Sequence, residues 1–113
     1  MKYVFMFTRG GWEDSASDDE QQKRYASIEQ WFGRLAAQGK YREGNQLLPP
    51  HTATTVVLTG SGSSIVDGPY MEAKETIGGY GVFEVADLDE ALAIARTFPS
   101  PDTKVEIRPV VQR

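Results

Sequence analysis

Apolar and polar positions along the chain alternate between runs that suit strands and stripes that suit helices. Tyr3, Val4, Phe5, Met6 and Phe7 follow one another without a polar break. Lys2 to Phe7 therefore predicts a strand that needs cover on both faces. Thr8 to Ser17 holds Gly10, Gly11, Ser15 and several charged side chains, and reads as a solvated loop. Ser17 with Glu20 is a capping-box pattern, and Asp18, Asp19 and Glu20 place negative charge where a helix dipole favours it. From there Tyr25, Ile28, Phe32, Leu35 and Ala36 recur at three- and four-residue steps. They predict one stripe down a helix of roughly five turns, widened on one side by Trp31. Gly39 ends this helix, and Tyr41 to Leu48 continues as a strand.

Pro49 and Pro50 interrupt the chain. Thr54 to Thr59 is β-branched, Gly60 to Ser64 reads as a turn, and Ile65 and Val66 return to apolar character, which together predict a hairpin. Asp67 to Gly79 is punctuated like a loop, and Gly81 to Val85 is the next strand. Asp87, with Glu90 three residues on, caps a second helix whose stripe is Leu88, Ala91, Leu92 and Ala95. Pro99 and Pro101 stop it, and Lys104 to Val111 is the last strand. The order β-α-β, hairpin, β-α-β predicts an α+β, ferredoxin-like antiparallel sheet with two helices on one face. Helices on one face leave half of the first strand's apolar side chains uncovered. A second copy of the sheet is the expected cover, giving a homodimer packed sheet to sheet; the alternative is cover by the chain's own loops.

Composition narrows the function classes. With 113 residues the chain fits one domain, 1–113, able to bury roughly two-thirds of its unfolded surface. Twelve Lys plus Arg against 16 Asp plus Glu give a net charge of -4, which argues against a nucleic-acid partner held by phosphate contacts. No apolar run approaches the ~20 residues of a membrane span, and no basic-then-apolar leader opens the chain, so a cytoplasmic location is expected. The absence of Cys excludes disulfides and thiol chemistry within it. One His and no Cys leave only carboxylate metal sites. Lys74 between Glu72 and Glu75 would repel a cation, so neither metal nor cofactor is expected. No glycine-rich phosphate loop is present, since Gly60 to Ser64 lacks the following Lys.

The stretch richest in candidate chemistry runs from Asp67 to Tyr80, Asp-Gly-Pro-Tyr-Met-Glu-Ala-Lys-Glu-Thr-Ile-Gly-Gly-Tyr. Asp67 can accept hydrogen bonds from the turn amides that follow, and Gly68-Pro69 fixes a bend that aims Tyr70, Glu72 and Lys74 over a sheet edge. Gly78-Gly79 lets the backbone re-enter the sheet where space is tight. These groups could line a polar pocket, or form a solvated loop with one structural aspartate.

This stretch resembles the D-G-P-F-A-E-T-K-E signature of the YCII-related proteins often called the DGPF family. Asp67, Gly68, Pro69, Glu72, Lys74 and Glu75 match it, while Tyr70, Met71 and Ala73 depart from it. Ala53-Thr54-Thr55-Val56, Gly78-Gly79-Tyr80, Ala86 to Leu92 and Val105 to Val110 also look like the family. The resemblance implies a ferredoxin-like fold assembled as a dimeric α+β barrel. It supplies no reaction, although the association of some relatives with sigma factors implies a regulatory setting. The wider group's proposed catalytic pair places a His on the first helix, but Asp18 to Gln38 contains none, and the one histidine is His51, beside Pro49 and Pro50.

The leading expectation is a small dimeric domain that binds a small polar ligand in a cleft beside the motif loop. Asp67, Tyr70, Glu72, Lys74, Tyr80 and Arg108 would be its contacts. A second is a weak enzyme using Asp67 with His51 or a tyrosine for proton transfer. A third is a non-catalytic interaction module for a sigma-factor-associated partner. Trp12, an aromatic in a polar loop, suggests that Thr8 to Ser17 could close over the cleft.

Overall fold

The computed structural model describes residues 1–69 and 76–113. Strand β1 (Lys2–Thr8) buries Tyr3, Phe5 and Phe7 on one face and leaves Val4 and Met6 half-buried on the other. The segment expected to be a plain loop contains a one-turn helix, α1 (Trp12–Ser15). It forms because the Glu13 carboxylate turns back to accept from the Gly10 N–H at 2.8 Å, and because Trp12 finds an apolar neighbour in Tyr25. Helix α2 (Asp18–Ala37) starts where the capping box places it, with Ser17 Oγ accepting from the Glu20 N–H at 3.2 Å. Gly39 ends it in the left-handed conformation, φ 74°, a backbone state that glycine adopts without a Cβ penalty. Trp31, expected at the edge of the apolar stripe, is its centre: Trp31 and Leu35 are buried and Ala36 is exposed.

Strand β2 (Tyr41–Gln46) stops before Leu47 and Leu48, both exposed. A short 3-10 turn, Pro50–Thr52, precedes β3 (Thr54–Thr59) and β4 (Gly62–Asp67), joined by Gly60 and Ser61. The turn is thus tighter than expected, with Ser63 and Ser64 inside the strand. Strand β5 (Ile77–Glu84) begins four residues earlier than its apolar content suggested, because Ile77 and Gly79 pair with Thr8 and Phe7, with Gly78 the extra residue at a bulge between them. Helix α3 (Leu88–Ala95) is capped by Asp87, and β6 (Val105–Pro109) closes the fold.

Four strands form one antiparallel sheet in the order β2-β5-β1-β6, and β3 and β4 pair with each other as a separate sheet. This is the ferredoxin-like arrangement with the hairpin set outside it. The core lies between the sheet and both long helices: Tyr3, Phe5, Phe7, Phe83 and Val85 from strands β1 and β5 and the segment after β5, Trp31 and Leu35 from α2, and Ala91 and Ile94 from α3. Phe5 stacks on Phe83 with centroids 4.1 Å apart, and Trp31 stands edge-on to Phe32 and Phe98 at 4.9 and 5.1 Å. The Trp31 indole N–H donates to Thr97 Oγ1 at 2.8 Å, so its burial leaves no unpaired donor.

Register fixes what the other sheet face carries. One row runs Glu43, Val82, Val4, Arg108 and the next runs Asn45, Tyr80, Met6, Glu106. Each has an apolar middle and polar or charged ends. Neither helix covers this face, as the two-sided pattern of the first strand implied.

Candidate functional site

Glycines create space above the helix-facing side of the sheet. Gly79 and Gly81 stand opposite Phe7 and Phe5 in the β1–β5 register, and both are buried. Gly44 faces Gly81 on β2, where an added Cβ would collide with the Tyr80 carbonyl oxygen. Backbone instead of side chains therefore floors a cavity of about 360 Å³ at this end of the sheet. Aromatic residues stand around it: Trp12 from α1, Tyr25 and Phe32 from α2, Phe7 from β1, Tyr41 from β2 and Phe98 after α3. A cavity of this size with apolar walls and few polar groups has the ordinary character of a small-molecule site.

Glu13 is the buried charged group in that wall. Its side chain is 8% exposed, and Arg9 Nη1 lies 3.6 Å from one oxygen. The other carboxylate oxygen accepts from the Gly10 N–H at 2.8 Å, and Tyr25 Oη donates toward the first at 3.5 Å. Arg9 also binds Asp14 at 2.6 Å. This bond, with the nearby guanidinium charge, holds the Asp14 carboxyl below its usual range, and the charge of His51 adds to the effect. The same bond raises Arg9, which is 12% exposed and charged at any ordinary pH. Arg9 is held in place by its backbone, whose N–H donates to the Thr76 carbonyl at 2.7 Å, and by Gly78 packed against its Cα. Trp12 leans on Tyr25 with centroids 5.1 Å apart while Arg24 sits over the indole at 5.3 Å. Burial raises the Tyr41 hydroxyl, with the neighbouring Tyr80 and Glu43 adding to it.

The residues singled out from sequence are distributed differently. Tyr80 borders the cavity through its backbone, while its side chain stands on the helix-free face, where its hydroxyl accepts from Asn45 Nδ2 at 3.2 Å. Tyr70, Glu72 and Lys74 lie outside the described residues. Asp67 is exposed at the end of β4 opposite Thr54, followed by the expected bend, with Gly68 at φ 91° and its N–H donating to the Ala53 carbonyl at 2.7 Å. Arg108 lies on the helix-free sheet face, 73% exposed and paired with Glu106 at 3.1 Å. His51 is exposed in the 3-10 turn. Neither Arg108, Asp67 nor His51 lines the cavity. Trp12 is half-buried on Tyr25, not bare among polar neighbours, so α1 already roofs the cavity. Among the described residues no group of His, Asp or Glu is placed to hold a metal ion.

Sequence reading passed over Arg9, Glu13, Tyr25 and Gly44 as site residues. The usable signal was the alternation of Gly79 and Gly81 in one strand, which clears a single face of the sheet.

The family model of the YCII-related domain matches residues 1–112. The chain belongs to the YCII-related domain family. A chain of similar sequence is an uncharacterised protein of Rhizobium meliloti (strain 1021), 39% identical over 84 residues, covering 66% of this chain and 68% of that one. Among solved structures, the fold is similar to 5-chloro-2-hydroxyhydroquinone dehydrochlorinase from Burkholderia phenoliruptrix AC1100 in complex with 2,5-dihydroxybenzoquinone. The TM-score is 0.52 at 18% identity, with 94% of this chain and 91% of that chain covered. At that identity the likeness is one of fold, and it agrees with the antiparallel α+β architecture described above.

Proposed function

We propose that this YCII-related domain binds a small, flat ligand bearing at least one hydroxyl or other polar hydrogen, in the aromatic-walled cavity, and that it does so as a homodimer. The observation that carries the reading is Glu13, a nearly buried carboxylate set into walls of Trp12, Tyr25, Phe32 and Tyr41. Flat rings stack on such walls, and a buried carboxylate rewards a donor that reaches it. The dihydroxylated ring named with the dehydrochlorinase structure is a molecule of this shape. The polar-ligand expectation is thereby sharpened: the ligand's body meets aromatic side chains and its polar group meets Glu13. The Thr76 carbonyl accepts from the Arg9 N–H, and Arg9 is the cation beside Glu13.

Glu13 supports a second reading, acid–base chemistry on the bound ligand, because a carboxylate within reach of a tyrosine hydroxyl can accept a ligand proton. Asp67 and His51 would then serve no direct role. The dimer reading rests on the helix-free sheet face. A two-fold axis along the strands sets β2 of one copy over β6 of the other, so the row Glu43-Val82-Val4-Arg108 meets itself reversed, with Glu43 opposite Arg108.

The test is a titration with simple phenols and hydroxybenzoates, followed at the Trp12 indole N–H by NMR. Saturable shifts in wild type, with affinity at least ten-fold weaker in Glu13→Gln, are expected. A Glu13→Gln variant that binds the same compounds equally well removes the carboxylate from the reading. Turnover of a bound compound that disappears in Glu13→Gln while binding by Glu13→Asp persists would establish the enzyme reading.

A further inference from the structure

The hairpin of β3 and β4 stands away from the four-stranded sheet, joined to it through the Pro49–Ala53 segment and the bend at Gly68. Its register puts Val56, Leu58 and Ile65 on one face, 56%, 79% and 73% exposed. Thr54 to Val66 contains no charged residue, in a chain that is 25% charged. Edge strands of soluble proteins are ordinarily shielded by charges, proline or bulges, and a two-stranded hairpin alone is marginal in water. This arm has two such edges, and its one charge, Asp67, stands at the far end of β4, away from Val56, Leu58 and Ile65.

The whole molecule carries the same signature. Its accessible surface is 8011 Å², where a compact monomer of this mass exposes roughly 6,200 Å². Its radius of gyration is 16.1 Å, against about 13 Å for a compact domain of this length. The excess area, on the order of 1,800 Å², is larger than the ~800 Å² that each partner gives up in a standard interface.

We infer that the β3–β4 arm of each chain lies on a second copy of the chain, with Val56, Leu58 and Ile65 turned toward it. An arm whose one charge is the Asp67 carboxylate at the end of β4 offers nothing to phosphates or anionic headgroups, whose recognition needs Lys or Arg. The chain that carries the bare arm also carries a bare sheet face, and two-fold association covers both surfaces in one step. The inference rests on the dimer proposed above and adds the arm to its contact.

Two measurements separate the arm from the sheet. Sedimentation equilibrium compares wild type with the double variant Leu58→Asp, Ile65→Asp and with Arg108→Glu. Hydrogen exchange of the wild-type arm amides is read above and below the dimer Kd. The arm variant is expected to weaken the dimer at least ten-fold, with the core's near-ultraviolet circular dichroism unchanged, and wild-type arm amides are expected to lose protection on dilution. A dimer that Arg108→Glu weakens but the arm variant does not, with arm exchange independent of concentration, overturns the arm and leaves the sheet contact standing. A wild type that is monomeric at every concentration overturns both.

Discussion

Arg9 serves two carboxylates that differ in burial, and this sets an order of effects. Asp14 is exposed while Glu13 is enclosed. In Glu13→Gln the guanidinium keeps Asp14. In Arg9→Met the buried Glu13 carboxylate loses its cation and retains only the Gly10 N–H and the Tyr25 hydroxyl. Breaking a buried pair by removing one partner costs about 3 kcal/mol or more, because the other charge remains enclosed. Urea unfolding is expected to show Arg9→Met losing more stability than Glu13→Gln, and equal losses would mean that water reaches Glu13 freely. Neither residue stood out in the sequence, since a charged pair four residues apart reads as solvated surface until Trp12 and Tyr25 are seen to fold over it. Asp67 and Arg108 stood out for their motif and strand positions, and the fold places both in solvent. Chemistry-bearing residue types are visible in a sequence, but their burial depends on distant partners.

At the scale of elements the reading is better, because caps and periodicity are local. Ser17 and Asp87 cap helices α2 and α3 as their spacing to Glu20 and Glu90 dictates. Glu90 in turn accepts from the N–H of Ala86, the residue before the cap, at 3.0 Å and pairs with Lys40 at 3.2 Å. Those bonds, the Ala86 N–H first and Lys40 second, hold its carboxyl below the usual value. Stability gained this way is fully present above the unfolded carboxyl value, about pH 4.3, and is lost as pH falls through the lower folded value. Thermal melts from pH 6 to pH 2 should therefore show Glu90→Gln below wild type at pH 6 and converging on it in acid. A gap that stays constant down to pH 2 would remove the carboxylate from the cause. What escaped at this scale was α1, which forms through Glu13 and Tyr25 contacts instead of periodicity, and the early start of β5, whose Gly78 and Gly79 carry no strand propensity of their own.

For the molecule as a whole, the unbroken apolar run of the first strand foretold a sheet with apolar side chains on both faces, and the register adds direction to that. If two copies meet about an axis along the strands, Glu43 faces Arg108 across the interface. Glu43→Arg and Arg108→Glu should each weaken the dimer, by five-fold or more in sedimentation equilibrium, and the double swap should restore it. Single variants that weaken the dimer without rescue in the double would place these charges elsewhere. The hairpin, by contrast, was legible as a hairpin but not as a detached one, because nothing in Thr54 to Asp67 states which edge, if any, it pairs with.

Whether the cavity takes a ligand is directly measurable through the chain's two tryptophans. Trp12 forms the cavity wall, while Trp31 is buried in the core with its indole N–H bonded to Thr97. In a two-dimensional nitrogen–proton NMR spectrum the two indole peaks stand apart from the backbone, one as reporter and one as internal control. Hydroxylated aromatic fragments should move the Trp12 peak saturably and the Trp31 peak far less. Fragments that leave Trp12 unmoved, or that move both peaks together without saturation, would contradict a binding site at this cavity.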